Sequence, residues 1–177
     1  RLPPRSQIQD PSGPNPHIFY CRPFLYSHIP GTRYHQQRGS FSVEYRINSR
    51  GFRGPETAVP AVGKRRLLVI GDSIIDGQGC PFESTLPEVL SDLLADRGWE
   101  AVNVGVQGAS PAYYALNIDR YLALQPDAVV VVLFENDLYE DRTYEQKYDA
   151  LPLLDYPDEL VSGRAGTGWR GSAALCI

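Results

Sequence analysis

The sequence predicts an α/β fold around a parallel sheet, on three observations. From residue 64 onward, strand-like apolar runs alternate with helical patterns. The run at residues 128–134 is nearly unbroken valine, as expected of a strand covered on both faces. Each of three such runs ends in small or polar residues, where a loop begins.

The first predicted strand, residues 65–70, stops at Gly71-Asp72-Ser73. Thr85 and Glu88 then stand at capping-box spacing, followed by Leu86, Val89, Leu90, Leu93 and Leu94 on one helical face and Gly98 as the stop. The second strand is predicted at residues 101–106. Ser110-Pro111 offers an N-cap and an N1 proline for a helix running to about Leu124, which Gln125-Pro126 ends. The third strand is residues 128–134, and residues 139–150 have helical character. Residues 151–177 are punctuated by Pro and Gly and end in a short apolar tail.

Residues 1–63 differ in kind and are read as an arm that wraps the α/β domain of residues 64–177. They are rich in Pro, Gly, Arg and Tyr and carry no helical period. Phe41, Val43, Tyr45 and Ile47 alternate with Ser42, Glu44 and Arg46, the period of a half-buried strand, and residues 34–37 are the predicted hairpin partner. The connector at residues 48–56 holds Arg50 and Arg53, which either face a bound carboxylate or phosphate or are solvated at the surface.

Composition excludes several function classes. The chain has 177 residues, 42% apolar and 21% charged, enough for one core of domain size. A net charge of −4 lacks the basic surplus of a nucleic-acid-binding surface, and Lys64-Arg65-Arg66 reads as a solvated strand start. No stretch reaches the ~20 apolar residues of a membrane span; because the chain begins at Arg1, an upstream signal or anchor is compatible with it. Cys21, Cys80 and Cys176 match no zinc spacing and read as free thiols. All three histidines, His17, His28 and His35, lie in the arm.

In open parallel sheets, ligands bind beyond the carboxyl ends of the strands, where the chain winds to either side of a central strand. With the first strand central, three loops meet there: Gly71-Asp72-Ser73, Asn103 to Gly108, and Phe134-Glu135-Asn136-Asp137. A hydroxyl, a close-approaching backbone N–H and a carboxamide are the set that acyl transfer requires, a nucleophile with donors for an oxyanion.

On these blocks the chain resembles the SGNH hydrolases, the GDSL esterase and lipase family. The likeness covers about residues 65–140, with Gly71-Asp72-Ser73-Ile74-Ile75-Asp76-Gly77, Asn103 to Gly108 and Glu135-Asn136-Asp137 as the serine, glycine and asparagine blocks. It implies a three-layer α/β/α, flavodoxin-like sheet, with Ser73 as nucleophile and the N–H groups of Ser73 and Gly108 and the amide of Asn136 as oxyanion donors. The implied reaction is ester hydrolysis, on small esters or acylated carbohydrates, with no cofactor and no metal. The arm's Asn48 to Gly54 is similar to a segment preceding the serine block in some multi-part relatives, and that likeness leans toward export.

Two departures stand out. Phe134 occupies the place of a glycine before the asparagine, and no Asp-x-x-His block follows Asn136; Asp155-Tyr156-Pro157-Asp158 ends in a carboxylate and reads as an acidic loop. The residues after Asn136 are too few for two further strand–helix units of about 30 residues each. A sheet incomplete at its C-terminal side is therefore expected, with an edge beside the third strand open to another chain or to further residues of a longer protein.

The same residues bear on three other readings. A catalytically impaired module would use the same donors to hold an acylated glycan or carboxylate. A nucleotide site is disfavoured because Gly71 to Gly79 fits neither Gly-x-Gly-x-x-Gly nor the P-loop. Asp72 and Asp76 lack a third metal ligand, and Asp72 is expected to fix the turn by accepting backbone N–H bonds.

Overall fold

The computed structural model describes residues 18–22, 25–57, 60, 62–137, 139, 141, 154–155 and 172–175. At its centre is β5 (Arg65–Ile70), an apolar run that pairs in parallel with β6 (Trp99–Asn103) on one side and β7 (Ala128–Val131) on the other. The predicted central strand and its two flanking strands are therefore in place. The second and third strands are shorter than the sequence suggests, because each leaves regular pairing to form a loop. Hydrogen bonds to the β5 segment nonetheless continue from Val104 N to Val69 O, Val106 N to Gly71 O and Val132 N to Ile70 O.

The expected open edge beside the third strand is occupied. β9 (Ser172–Leu175) pairs in parallel with β7, giving the order β6-β5-β7-β9. A short run of small and apolar residues at the tail suffices, since parallel pairing uses backbone groups that any non-proline residue carries. Of the helix expected at residues 139–150, Tyr139 and Asp141 are helical and the rest lies outside the described residues.

Among the described residues, the α-helical segments before β7 are as follows. α1 (Ser73–Asp76) is a single turn after β5, closed by Gly77 in the left-handed region at φ 77°. α2 (Leu86–Leu94) continues into a 3-10 turn and stops at left-handed Gly98, as the sequence suggests. Its capping box does not form, because the Thr85 hydroxyl donates backward to Phe82 O at 2.8 Å. The second predicted helix is two pieces, α3 (Pro111–Leu116) and α4 (Ile118–Leu122), parted at buried Asn117. Ser110 does not cap with its own oxygen: its hydroxyl donates to the Asp141 carboxylate, which also accepts Ala112 N at 2.7 Å.

Both faces of β5 are covered. On one, Leu68 and Ile70 pack with Val102, Tyr113, Tyr121 and Leu124 and with Leu25, Tyr26 and Phe52 of the arm. On the other, Leu67 and Val69 meet Ile75, Leu90 and Leu94. The arm thus contributes to the main core. It contains β1 (Ile18–Arg22) and β2 (Leu25–His28), an antiparallel pair that the sequence reading did not anticipate, joined in parallel by β8 (Leu154–Asp155).

The hairpin forms as predicted from β3 (Arg33–Arg38) and β4 (Phe41–Arg46), with Tyr34, Val43, Tyr45 and Ile47 on one buried face. At the opposite end of the sheet, Arg66 is buried, contrary to a solvated strand start. It pairs with Glu100 at 2.7 Å and donates to Leu124 O, whereas Lys64 and Arg65 are exposed.

Candidate active site

The turn after β5 is built by Asp72. Its buried carboxylate accepts Ile74 N at 2.9 Å, the turn-fixing role that the sequence suggested. Its second oxygen accepts the Asn136 amide at 3.4 Å, a long hydrogen bond that ties the loop after β7 to the residue next to Ser73. Ser73 opens α1 and is partly exposed.

The loop after β6 is tied to the same turn. Asn103 donates to Ile75 O at 2.8 Å and accepts Gly105 N at 2.9 Å. A Cβ on Gly105 would stand 2.3 Å from Asp76 N, so only glycine lets this loop lie against α1. Gln107 donates to the Asp76 carboxylate at 2.9 Å, and Gly108 follows it in the left-handed region at φ 73°.

Each of the three sequence-predicted residues is therefore on, bonded to, or next in chain to a residue bonded to one short stretch, residues 72–76. Asn136 donates to Asp72, Ser73 lies within the turn, and Gly108 follows the residue that holds Asp76. A serine hydroxyl, backbone N–H groups and a carboxamide at one sheet end can bind a carbonyl compound and stabilise negative charge on its oxygen.

Around Asn136, Asp137 is buried and accepts Phe134 N at 3.0 Å and the Tyr114 hydroxyl at 3.4 Å. Burial raises the Asp137 carboxyl above its ordinary range. The Phe134 N–H opposes that rise and the nearby Asp72 carboxylate adds to it. Leu133 and Phe134 remain 40% and 50% exposed beside this loop.

The histidines in the arm stand elsewhere. His28 is fully buried, and its Nε2 meets Asp76 Oδ1 at 3.2 Å. His35 is exposed on the hairpin and bonds Ser42 at 2.7 Å, and His17 lies outside the described residues. Among the described residues, no histidine hydrogen-bonds Ser73. Cys80 is a free thiol whose Sγ meets Gly77 O at 3.4 Å, a structural contact. Of the acidic loop, Asp155 is in β8 and Asp158 lies outside the described residues.

Arg53, for which the sequence left surface solvation open, is buried, and its contact with the serine turn is what sequence reasoning missed. Its guanidinium donates to Asp76 O, Gly77 O and Cys80 O at 2.8, 2.7 and 2.7 Å and lies 3.8 Å over the Tyr45 ring. The only signal available was an arginine within a turn-rich connector.

No protein-family profile and no curated protein matches the chain. Solved structures do. AlinE4, an SGNH-hydrolase family esterase, is 25% identical over 55% of this chain and 62% of its own, with a TM-score of 0.39; an esterase AlinE4 variant gives the same values. TesA is 24% identical over 63% of this chain and 59% of its own, with a TM-score of 0.42. The chain spans about three fifths of the length of each. The solved structures to which this chain is similar thus include an esterase of the SGNH-hydrolase family, the family its strand-end motifs resemble.

Proposed function

We propose that the chain carries the nucleophile and oxyanion site of a serine ester hydrolase. One observation carries the reading: the loops after β6, β5 and β7 are hydrogen-bonded to one another through Asp72 and Asp76, with Ser73 between them. In the reaction, Ser73 Oγ forms a bond to the ester carbonyl carbon, and the hydroxyl proton passes to a base. The carbonyl π electrons move onto oxygen, and the N–H groups of Ser73 and Gly108 and the Asn136 amide stabilise the negative charge there by donating hydrogen bonds to it. Collapse expels the alcohol, which takes up a proton, and water then cleaves the acyl-serine to carboxylic acid and free Ser73.

Neither described histidine hydrogen-bonds Ser73 to serve as that base: His28 is fully buried with its Nε2 on Asp76, and His35 bonds Ser42 on the exposed hairpin. Loss of general-base assistance costs about 10² to 10⁴ in rate. Hydrolysis of p-nitrophenyl acetate by the full chain is therefore expected to be slow, to rise on adding imidazole as an external base, and to fall to background in Ser73→Ala at every imidazole concentration. Equal rates for the wild type and Ser73→Ala would refute the assignment.

A second reading draws on the same observation about the histidines: a module that binds acylated glycans or small carboxylates through these donors without turning them over. It predicts saturable ligand binding by a folded protein whose Ser73 never acylates.

A further inference from the structure

We infer that the arm is a positioning element for the serine, with Arg53 and His28 holding in place the single helical turn that begins at Ser73. This inference rests on the reading of Ser73 as nucleophile. A one-turn helix is far below the length at which helices persist unaided, so α1 keeps its shape only through partners outside itself. At its start, Asp72 caps Ile74 N. At its end, the Asp76 and Gly77 carbonyls face no further helical turn and both accept Arg53 Nη1, while Nη2 takes Cys80 O in the loop beyond.

Arg53 is 2% exposed, and its planar fork is suited to three carbonyls in a fixed arrangement. Three of its surroundings come from the arm or from the turn itself. The Tyr45 ring of the hairpin is centred 3.8 Å from the guanidinium carbon, and Tyr34 stacks on Tyr45 at 4.8 Å between ring centres. The Asp76 carboxylate, fully buried, is the nearby negative charge, and it is held in turn by His28 from β2 and by Gln107 from the loop that leads to Gly108.

Burying a guanidinium, an imidazole and a carboxylate together costs desolvation that an apolar cluster would avoid. What the polar set supplies is direction. The bonds end on backbone carbonyls of the serine-bearing turn and on a carboxylate three residues, about one helical turn, after Ser73. The arm and the glycine loop thereby fix the same turn from two sides.

Amide hydrogen exchange on the full chain tests the clamp without reference to catalysis. Arg53→Lys keeps the charge and loses the fork. Relative to wild type, it should speed exchange at Asp76, Gly77 and Gln78, the amides bonded within the turn, at least about tenfold more than at the β5 and β7 amides. His28→Gln should act in the same direction, and it decides the matter if Arg53→Lys does not fold. Arg33→Lys, on the exposed face of the hairpin, should change nothing. Uniform acceleration across the sheet, or none at the turn, would overturn the inference, because a merely structural contact lowers protection everywhere.

Labelling of Ser73 by a fluorophosphonate, with imidazole present, is followed on the same samples. There Ser73 Oγ bonds to phosphorus as fluoride leaves, and the base takes the proton. A drop of at least about tenfold in the limiting rate of Arg53→Lys, at unchanged half-saturation, supports the link to the serine. A folded wild type that is never labelled, with exchange at the turn still dependent on Arg53, would remove the nucleophile reading and leave the clamp standing.

Discussion

Strands β5 and β7 lie side by side in parallel, yet their environments differ in the opposite sense to their sequences. β7 is all alanine and valine, and each of its four residues is only half-buried. β5 starts with two arginines, and from Arg66 onward all of it is buried. Both strands lie between two others, so the difference is made by what covers their faces: β5 has the arm, α3 and α4 on one face and α2 on the other. Ser73 follows the fully enclosed strand, whereas Asn136 follows the half-covered one, whose continuation leaves Leu133 and Phe134 exposed. The turn that carries Ser73 thus leaves an enclosed strand, whereas the loop that carries Asn136 leaves a half-buried one.

Core truncation sharpens this contrast most. Leu68→Ala removes a fully buried side chain at the centre of the main core and is expected to cost about 3 kcal/mol or more. Val130→Ala, one strand over and half-buried, is expected to cost about 1 kcal/mol. Urea denaturation midpoints of the two variants measure the ratio. Equal losses would show that the two strands are enclosed alike.

A smaller effect is expected from Asp137. Its carboxyl is raised by burial, so the folded chain holds this proton to a higher pH than the unfolded chain does. Stability from this group is fully present below the ordinary carboxylate range and is lost as pH rises through the raised value. Glu88, raised by burial and then by the Asp92 and Glu83 carboxylates, contributes a slope of the same sign, so the difference between variant and wild type isolates Asp137. Asp137→Asn should flatten the fall in unfolding free energy across that window while keeping an oxygen acceptor for Phe134 N. An unchanged slope would place the titration elsewhere.

The parts of the fold that could be read in the sequence are those coded by neighbours in the chain. β5 has the predicted bounds, the hairpin has the predicted partner, Gly98 ends α2, and Asp72 fixes its own turn, because each depends on residues a few positions apart. The central position of β5 was a premise of the site argument rather than a pattern in the residues, and its pairing with β6 and β7 meets it. β1, β8 and β9 were not legible, since their pairing is with distant segments through backbone groups that leave no mark on side-chain pattern. Thr85 and Ser110 have the residue types of caps, but their hydroxyls find other partners. The candidate site was legible as three blocks, Ser73, Gly108 and Asn136. The ties among those blocks were not: Arg53 and His28 reach the serine turn across 24 and 48 residues of chain, and no local pattern encodes a contact that only the fold creates.

The most direct measurement is peptide mapping of the folded chain after fluorophosphonate treatment in the presence of imidazole, for the wild type and for Asn136→Ala. The account predicts a single phosphonylated residue, Ser73, formed about 10² times more slowly when the Asn136 amide is gone. Label at another residue, or equal rates at Ser73 in the two proteins, would contradict the claim that hydroxyl and carboxamide serve one oxyanion site.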